Sequence, residues 1–303
     1  MQQSVIITRK TQDRVEILRL FIVDAFTDQL FGGNQAGVAL LRADQTFPED
    51  ALMQKIAAEL KHSETAFVKR IQPNVFQLRY FTPEGEVALC GHATISAFTV
   101  LRSTGEIACG EAVAKSNSGD LRVAVEPDKA WLEMPQGQLI KTLNEEESAR
   151  VYSAYGLNLD DRPDGIRPCI VKVGLADILL PVDSKDKLDY AIQNRAGVIA
   201  LSKELDVVGV HLFFCPKESE TTAYCRNFAP LFGIDEESAT GTSNASLTHY
   251  LRVFKRAEPN EINTFVQGEA MGKPSLIYSK IDDRDTIWIG GSAMISVEGE
   301  LKL

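Results

Sequence analysis

The sequence predicts an α+β protein made of two halves built to one plan, each a curved set of strands around a central apolar helix. Three observations carry this reading. Segments with strand-like alternation dominate the chain, and the few helical stretches are separated by several strands each. Residues 92–103 carry no charge before Arg102, and a helix that is small or apolar all round is normally buried on every side. A similar stretch recurs later: setting Gly91 over Gly241 places His92 over Thr242, Leu101 over Leu251 and Arg102 over Arg252. The expected boundary lies near residue 135, giving domains of 1–135 and 136–290, with a last strand over 290–303 free to return to the first domain.

The elements follow in order. Residues 1–13 are polar and read as a tail, and Val15–Phe26 reads as a strand. Phe31-Gly32-Gly33-Asn34-Gln35-Ala36-Gly37 marks a tight turn that brings backbone close to something. It is no phosphate loop, because the Gly-Lys-Ser/Thr ending is missing. Pro48, Glu49 and Asp50 open a helix to about Lys61, with Leu52, Ile56 and Leu60 as its apolar face. Thr65–Val68 and Val75–Phe81 are strands, and the turn at Thr82-Pro83-Glu84-Gly85-Glu86 precedes the charge-free helix. Hairpin strands at 121–125 and 130–134 come next, then a helix over 144–155. The second half reads as strands at 169–173, 176–180, 207–214 and 221–228, with a helix over 188–200 and a loop over 229–238. Strands at 262–267, 275–279, 286–289 and 293–297 complete it.

Composition narrows the function. A formal charge of −10 with no basic block leaves nothing to displace counterions from a phosphate backbone, so neither nucleic acid nor an anionic membrane is expected as a partner. An odd number of cysteines, five without tight spacing, points to a reducing compartment, and the protein is expected in the cytoplasm. With no Cys-x-x-Cys, no His-x-x-x-His and only four histidines, no metal site is expected.

Two junctions hold groups that chemistry can use. At Leu89-Cys90-Gly91-His92-Ala93-Thr94 an extended segment becomes the buried helix. A helix start offers unpaired N–H groups to an anion, and its positive end biases a nearby His towards neutrality. Glu64 lies between the helix ending near Lys61 and the next strand, where desolvation would raise its pKa towards the range useful for proton transfer. The two glycine-led helices would set their N-termini on either side of an interdomain cleft, a place for a small carboxylate.

Five separated motifs then resemble the phenazine-biosynthesis PhzF-like family over roughly residues 15–300. They are Phe31–Val38, Ser63-Glu64-Thr65-Ala66-Phe67, Phe81-Thr82-Pro83 with Glu86–Thr94, Phe228-Ala229-Pro230 with Gly233-Ile234 and Ala239-Thr240-Gly241, and Gln267–Ser275. The resemblance implies the two-domain diaminopimelate epimerase-like fold with the site between domains. It implies a cofactor-independent isomerase in which Glu64 is the acid/base, His92 assists and Glu237 contributes. Asn34, Ser63, Gly91, Ala93, Thr240, Gly241 and Thr242 are the expected substrate contacts, and a homodimer is expected. This chain departs from the family at Glu237-Ser238, where Asp-Pro is usual, and at Gln35, where Pro is common. The substrate is therefore expected to differ from the phenazine precursor. Two other readings stay open: a two-thiol racemase using Cys90, and a non-catalytic ligand-binding or scaffold protein.

Overall fold

The computed structural model describes residues 17–303. The expected tail and the first two positions of the strand from Val15 lie outside them. The first half runs β1 (Ile17–Ala25), β2 (Asn34–Leu41), α1 (Asp50–Leu60), β3 (Glu64–Gln72), β4 (Val75–Phe81), β5 (Glu86–Val87), α2 (Gly91–Ser103), β6 (Gly110–Ser116), β7 (Gly119–Val125) and β8 (Ala130–Glu133). Next come β9 (Gln138–Thr142), α3 (Glu145–Ser153), β10 (Cys169–Val173), β11 (Leu175–Pro181), α4 (Lys185–Tyr190), α5 (Arg195–Leu205), β12 (Gly209–Phe214), β13 (Ala223–Ala229) and β14 (Ile234–Glu237). The chain ends with α6 (Gly241–Val253), β15 (Asn263–Gln267), β16 (Ser275–Ile281), β17 (Ile287–Gly291) and β18 (Ala293–Lys302).

The internal repeat is visible in the strand ladder. In the first half β1–β2 is antiparallel, β2–β3 parallel, β3–β4 antiparallel, β4–β6 parallel and β6–β7 antiparallel. In the second, β10–β11 is antiparallel, β11–β12 parallel, β12–β13 antiparallel, β13–β15 parallel and β15–β16 antiparallel. Within each half the sheet wraps one helix. The helices α2 and α6 have 13 residues each and begin at the two glycines that the sequence aligns. Antiparallel pairing of β8 with β17 joins the halves, and β18 pairs with β1.

Burial explains why these helices carry no charge before the arginine in their last turn. Every residue of α2 from His92 to Leu101 is buried. Phe98, fully enclosed, meets Phe76 edge-on at 5.7 Å. Such a side chain contributes about 2–3 kcal/mol by leaving water, so an ionised group there would forfeit that and add its own desolvation cost. One continuous core surrounds both helices, and smaller clusters lie under α1 and under α3–α5.

Three sequence expectations are corrected. The buried face of α1 is Met53, Ile56 and Ala57, while Leu52 is 37% exposed. Ile56 is buried as expected and Leu60 packs against the same cluster, so the stripe is rotated slightly towards Met53 and Ala57 and leaves only Leu52 outside. The helix expected over 188–200 is two helices. Residues 191–194 leave helical geometry because Ile192 and Asn194 donate their N–H groups to Tyr155 and Ala154 carbonyls, and Asn194 then caps α5 through Gly197 N–H. The loop expected over 229–238 contains β14, which pairs with β13.

Candidate active site

The site is assembled from five chain segments that meet between the two buried helices. Asn34 opens β2, Glu64 opens β3, and Ser63 precedes it. Cys90 is the N-cap of α2, with Gly91, His92 and Ala93 as its first turn. On the facing wall Glu237 ends β14, and Thr240 is the N-cap of α6, followed by Gly241 and Thr242. A Cβ built on Gly91 would lie 3.9 Å from Gly241 Cα, so the two helix starts face each other at close range.

Neither N-cap side chain caps its own helix. The first intrahelical bonds are Thr94 N–H to Cys90 O at 3.0 Å and Asn244 N–H to Thr240 O at 3.1 Å. The amides of residues 91–93 and 241–243 thus lack a carbonyl four residues back, and both helices aim their positive ends at the gap.

His92, 5% exposed, is the hub of the first wall. Its Nε2 lies 3.2 Å from Ser63 Oγ and 3.2 Å from Glu64 Oε2, and its Nδ1 lies 3.4 Å from both Cys90 Sγ and Asn34 Nδ2. Glu64 Oε2 is buried and poorly aligned for a hydrogen bond from His92, with no other hydrogen-bond partner among the described residues. Asn34 crosses to the second wall, where Nδ2 donates to Glu237 Oε1 and to Ala239 O, each at 2.9 Å. Glu237 Oε2 and Thr240 Oγ1 are 2.5 Å apart.

The electrostatics correct two expectations. Burial, the largest single influence, would raise the Glu64 carboxyl, but the hydrogen bond and charge of His92 together with Ser63 and Cys90 outweigh it and hold the carboxyl below its ordinary value. Burial opposes charge on His92, yet its neighbours Cys90 and Glu64 raise its pKa well above the ordinary value. The helix start does not keep this imidazole neutral, because a carboxylate oxygen at 3.2 Å acts more strongly than partial charges on peptide groups. Burial pushes the Cys90 thiol up to about 11, so it is a neutral hydrogen-bond partner at pH 7. Glu237 goes the other way from Glu64: burial raises it, and His92, Thr240 and Asn34 do not cancel the rise.

The departures at 237 and 238 are accommodated. Ser238 Oγ donates to Gly33 O at 2.9 Å, tying β14 to the Gly32-Gly33 turn by a bond that proline has no donor to make. The longer Glu237 is held at both oxygens by Asn34 and Thr240. Gln267 is a residue of this hydrogen-bonded cluster that the sequence reading left out of the site. Fully buried, it donates from Nε2 to Glu237 O at 2.7 Å and to Thr240 Oγ1 at 3.0 Å, and its Oε1 accepts from Thr240 N–H at 3.3 Å. Its place at the head of a family motif was the available signal. The α2–α6 alignment puts Thr240 opposite Cys90, and Cys225 lies buried within β13, so no second thiol faces the first.

The sequence matches the phenazine biosynthesis-like (PhzC-PhzF) family over residues 23–299. The chain belongs to this family. An uncharacterized isomerase of Clostridium acetobutylicum is 32% identical over 298 residues, covering 94% of this chain and 98% of that protein. The crystal structure of a PhzF-family phenazine biosynthesis protein from Bacillus anthracis superposes with a TM-score of 0.81 at 23% identity, over 95% of this chain and all of the other. A hydroxyproline epimerase from Agrobacterium vitis shares the fold with a TM-score of 0.62 at 14% identity, over 95% of this chain and 93% of that one. These likenesses establish a PhzF-type, epimerase-like α+β fold. No helix among the described residues is long and apolar enough to cross a membrane.

Proposed function

We propose that this PhzF-family chain is a cofactor-independent isomerase that shifts a proton within a small carboxylate-bearing substrate, with Glu64 as the base. The observation that carries the proposal is the opposed tuning of two half-buried carboxyls on facing walls, Glu64 held down and Glu237 held up. Pairs of titratable groups whose pKa values are driven apart mark base and acid assignments. Glu64, ionised at neutral pH with Oε2 free of an aligned donor, accepts a proton from a carbon beside a carbonyl, enamine or carboxylate group. The same carboxyl returns the proton to another carbon of the substrate. His92 balances the charge of Glu64 before the proton moves, and Ser63 orients the ring. Glu237, whose pKa burial raises, is the more readily protonated of the two carboxyls and lies on the second wall. The paired starts of α2 and α6 receive the substrate carboxylate through N–H groups of residues 91–93 and 241–243. Relatives that carry the isomerase name over almost the whole chain support this reading.

The test is solvent exchange. Incubated in D2O with a panel of small amino and hydroxy acids and their unsaturated analogues, the wild-type protein is expected to place deuterium in at least one compound, read by mass spectrometry. Glu64→Gln keeps the shape and removes the base, and a loss of about 10²–10⁴-fold in that exchange is expected. Exchange that survives in Glu64→Gln at the wild-type rate would overturn the assignment.

A further inference from the structure

We infer that Gln267 is a positioning residue for Glu237: its side-chain amide turns the Thr240 hydroxyl so that the one hydroxyl hydrogen points at the Glu237 carboxyl. Hydrogen-bond polarity fixes this direction. Thr240 N–H can only donate, and it lies 3.3 Å from Gln267 Oε1. Glu237 O can only accept, and it lies 2.7 Å from Gln267 Nε2. These two main-chain groups allow the amide one orientation. The second hydrogen of Nε2 goes to Thr240 Oγ1 at 3.0 Å. Having accepted there, the hydroxyl keeps its own hydrogen to give, and its other partner among the described residues is Glu237 Oε2 at 2.5 Å.

The opposite oxygen follows the same logic. Ala239 O, a backbone acceptor, takes one Asn34 Nδ2 hydrogen, and Glu237 Oε1 takes the other. Glu237 thus accepts at both oxygens, an arrangement that favours its ionised form and works against the burial that raises it.

Gln267 stands on a rigid frame. It is fully buried at the last rung of β15, paired with Ser275 of β16 and Cys225 of β13. Its Oε1 also accepts from Asn244 Nδ2 at 2.9 Å, so all four hydrogen-bonding positions of the amide are filled. Beside it Gly268 takes a φ of +83°, and a Cβ there would lie 2.6 Å from Ser238 O, so only glycine lets the strand end come this close. From the other side Asn34 and Gly33 hold the same segment through Ala239 O and Ser238 Oγ. A segment that has serine where its family has proline is gripped between these two clamps.

The titration of Glu237 reads this role, because a residue that only filled space would leave it unmoved. Full-length protein carrying glutamate labelled with carbon-13 at the side-chain carboxyl is followed by NMR across pH, and the Glu237 signal is identified by its loss in Glu237→Gln. Thr240→Val removes the donor to the ionised carboxyl and should raise the midpoint by about one unit, a tenfold change in proton affinity. Gln267→Met keeps the volume, frees the hydroxyl to turn, and should raise the midpoint by about half a unit or more. Added to Thr240→Val, it should raise the midpoint no further. An unchanged midpoint in Gln267→Met, or an equal further rise in the double variant, overturns the role. Gln267→Met also strips two buried donors of their acceptor, so a wild-type measurement stands beside it. Neutron diffraction from deuterium-exchanged crystals at neutral pH should place the Thr240 hydroxyl deuterium on the line to Glu237 Oε2, and a deuterium pointing elsewhere overturns the role equally.

The hydrogen-bond direction rests on geometry, and its bearing on proton transfer rests on the isomerase reading. On that reading Gln267→Met should move the pH profile of solvent exchange to higher pH, as it moves the Glu237 titration. A moved titration with an unmoved profile keeps the positioning role and removes Glu237 from the reaction. No exchange in the wild type removes the isomerase reading and leaves the positioning role to stand or fall by the titration.

Discussion

Replacing Asp177 by Asn should flatten the pH dependence of stability between pH 4 and pH 7. Asp177 lies in β11, 2% exposed, and its Oδ2 accepts a hydrogen bond from Ser243 Oγ in the first turn of α6 at 2.7 Å. Burial pushes its pKa to about 6 from an ordinary 3.8, with nearby Glu237 adding to the rise. A carboxyl whose folded pKa lies above its unfolded value gives stability that is fully present below the unfolded pKa and lost as pH rises through the folded one. The window is therefore about pH 4 to 6. A shift of about two pKa units at roughly 1.4 kcal/mol each makes the loss ~3 kcal/mol. Asn cannot ionise and lacks this loss. Its own hydrogen bonding shifts stability by about 1 kcal/mol at every pH, so the slope carries the test and the offset does not. Urea unfolding, followed through the buried Trp131 and Trp288, gives the two curves. The variant should gain ~3 kcal/mol on the wild type between pH 4 and 7. Removing the Asp177 charge also lowers Glu237, which flattens the variant further in the same direction. Parallel curves would refute the burial argument.

Three more outcomes follow from named contacts. Gly290→Ala would set a methyl 2.4 Å from the Trp131 ring, and a loss of about 1–3 kcal/mol in urea stability is expected. Ser238→Ala removes the bond to Gly33 O and should cost about 1 kcal/mol, seen as a lower Tm, with weakened exchange as the Asn34 turn loosens. In Gly91→Ala the methyl meets Gly241 Cα at an ordinary 3.9 Å, so unfolding should be almost unchanged while exchange falls about tenfold or more through a raised KM. An equal loss of stability in Gly91→Ala would show that the glycine serves packing and not the gap.

The two helices and their glycine starts were legible because burial on all sides forbids charge, and that absence shows in a single sequence. The motifs at 31–38, 63–67, 90–94 and 239–241 were legible as segments, and the fold brings all of them to one cleft. The break in the 188–200 helix was not legible, because its cause is a pair of backbone bonds to Tyr155 and Ala154, about 40 residues away in sequence. The protonation pattern was hidden for the same reason. Position at a junction gives the sign of desolvation for Glu64, but the sign of the outcome depends on an imidazole 28 residues downstream that lies 3.2 Å away in space. Ser238 looked like a loosened proline until its partner, Gly33 O, was in view.

The repeat also argues about the kind of chemistry. A racemase that works through mirror-related faces is best served by matched acid/base groups at equivalent positions of its two halves. Here the scaffold repeats and the reactive groups do not. Glu64 opens β3 as the strand parallel to β2, and the residue that opens β12 parallel to β11 is Gly209. No glutamate can stand there, because even a Cβ on Gly209 would lie 2.0 Å from Phe228 O. Opposite Cys90 is Thr240, opposite His92 is Thr242, and opposite Val87, the last residue of β5, is Glu237 at the end of β14. The proposed base, Glu64, and its imidazole are thus confined to one wall, and the carboxyl with raised pKa occupies a different position on the other. On the proposed roles, one base facing one differently placed acid would move a proton between unlike sites of a substrate. That asymmetry favours a positional shift over inversion at a single carbon.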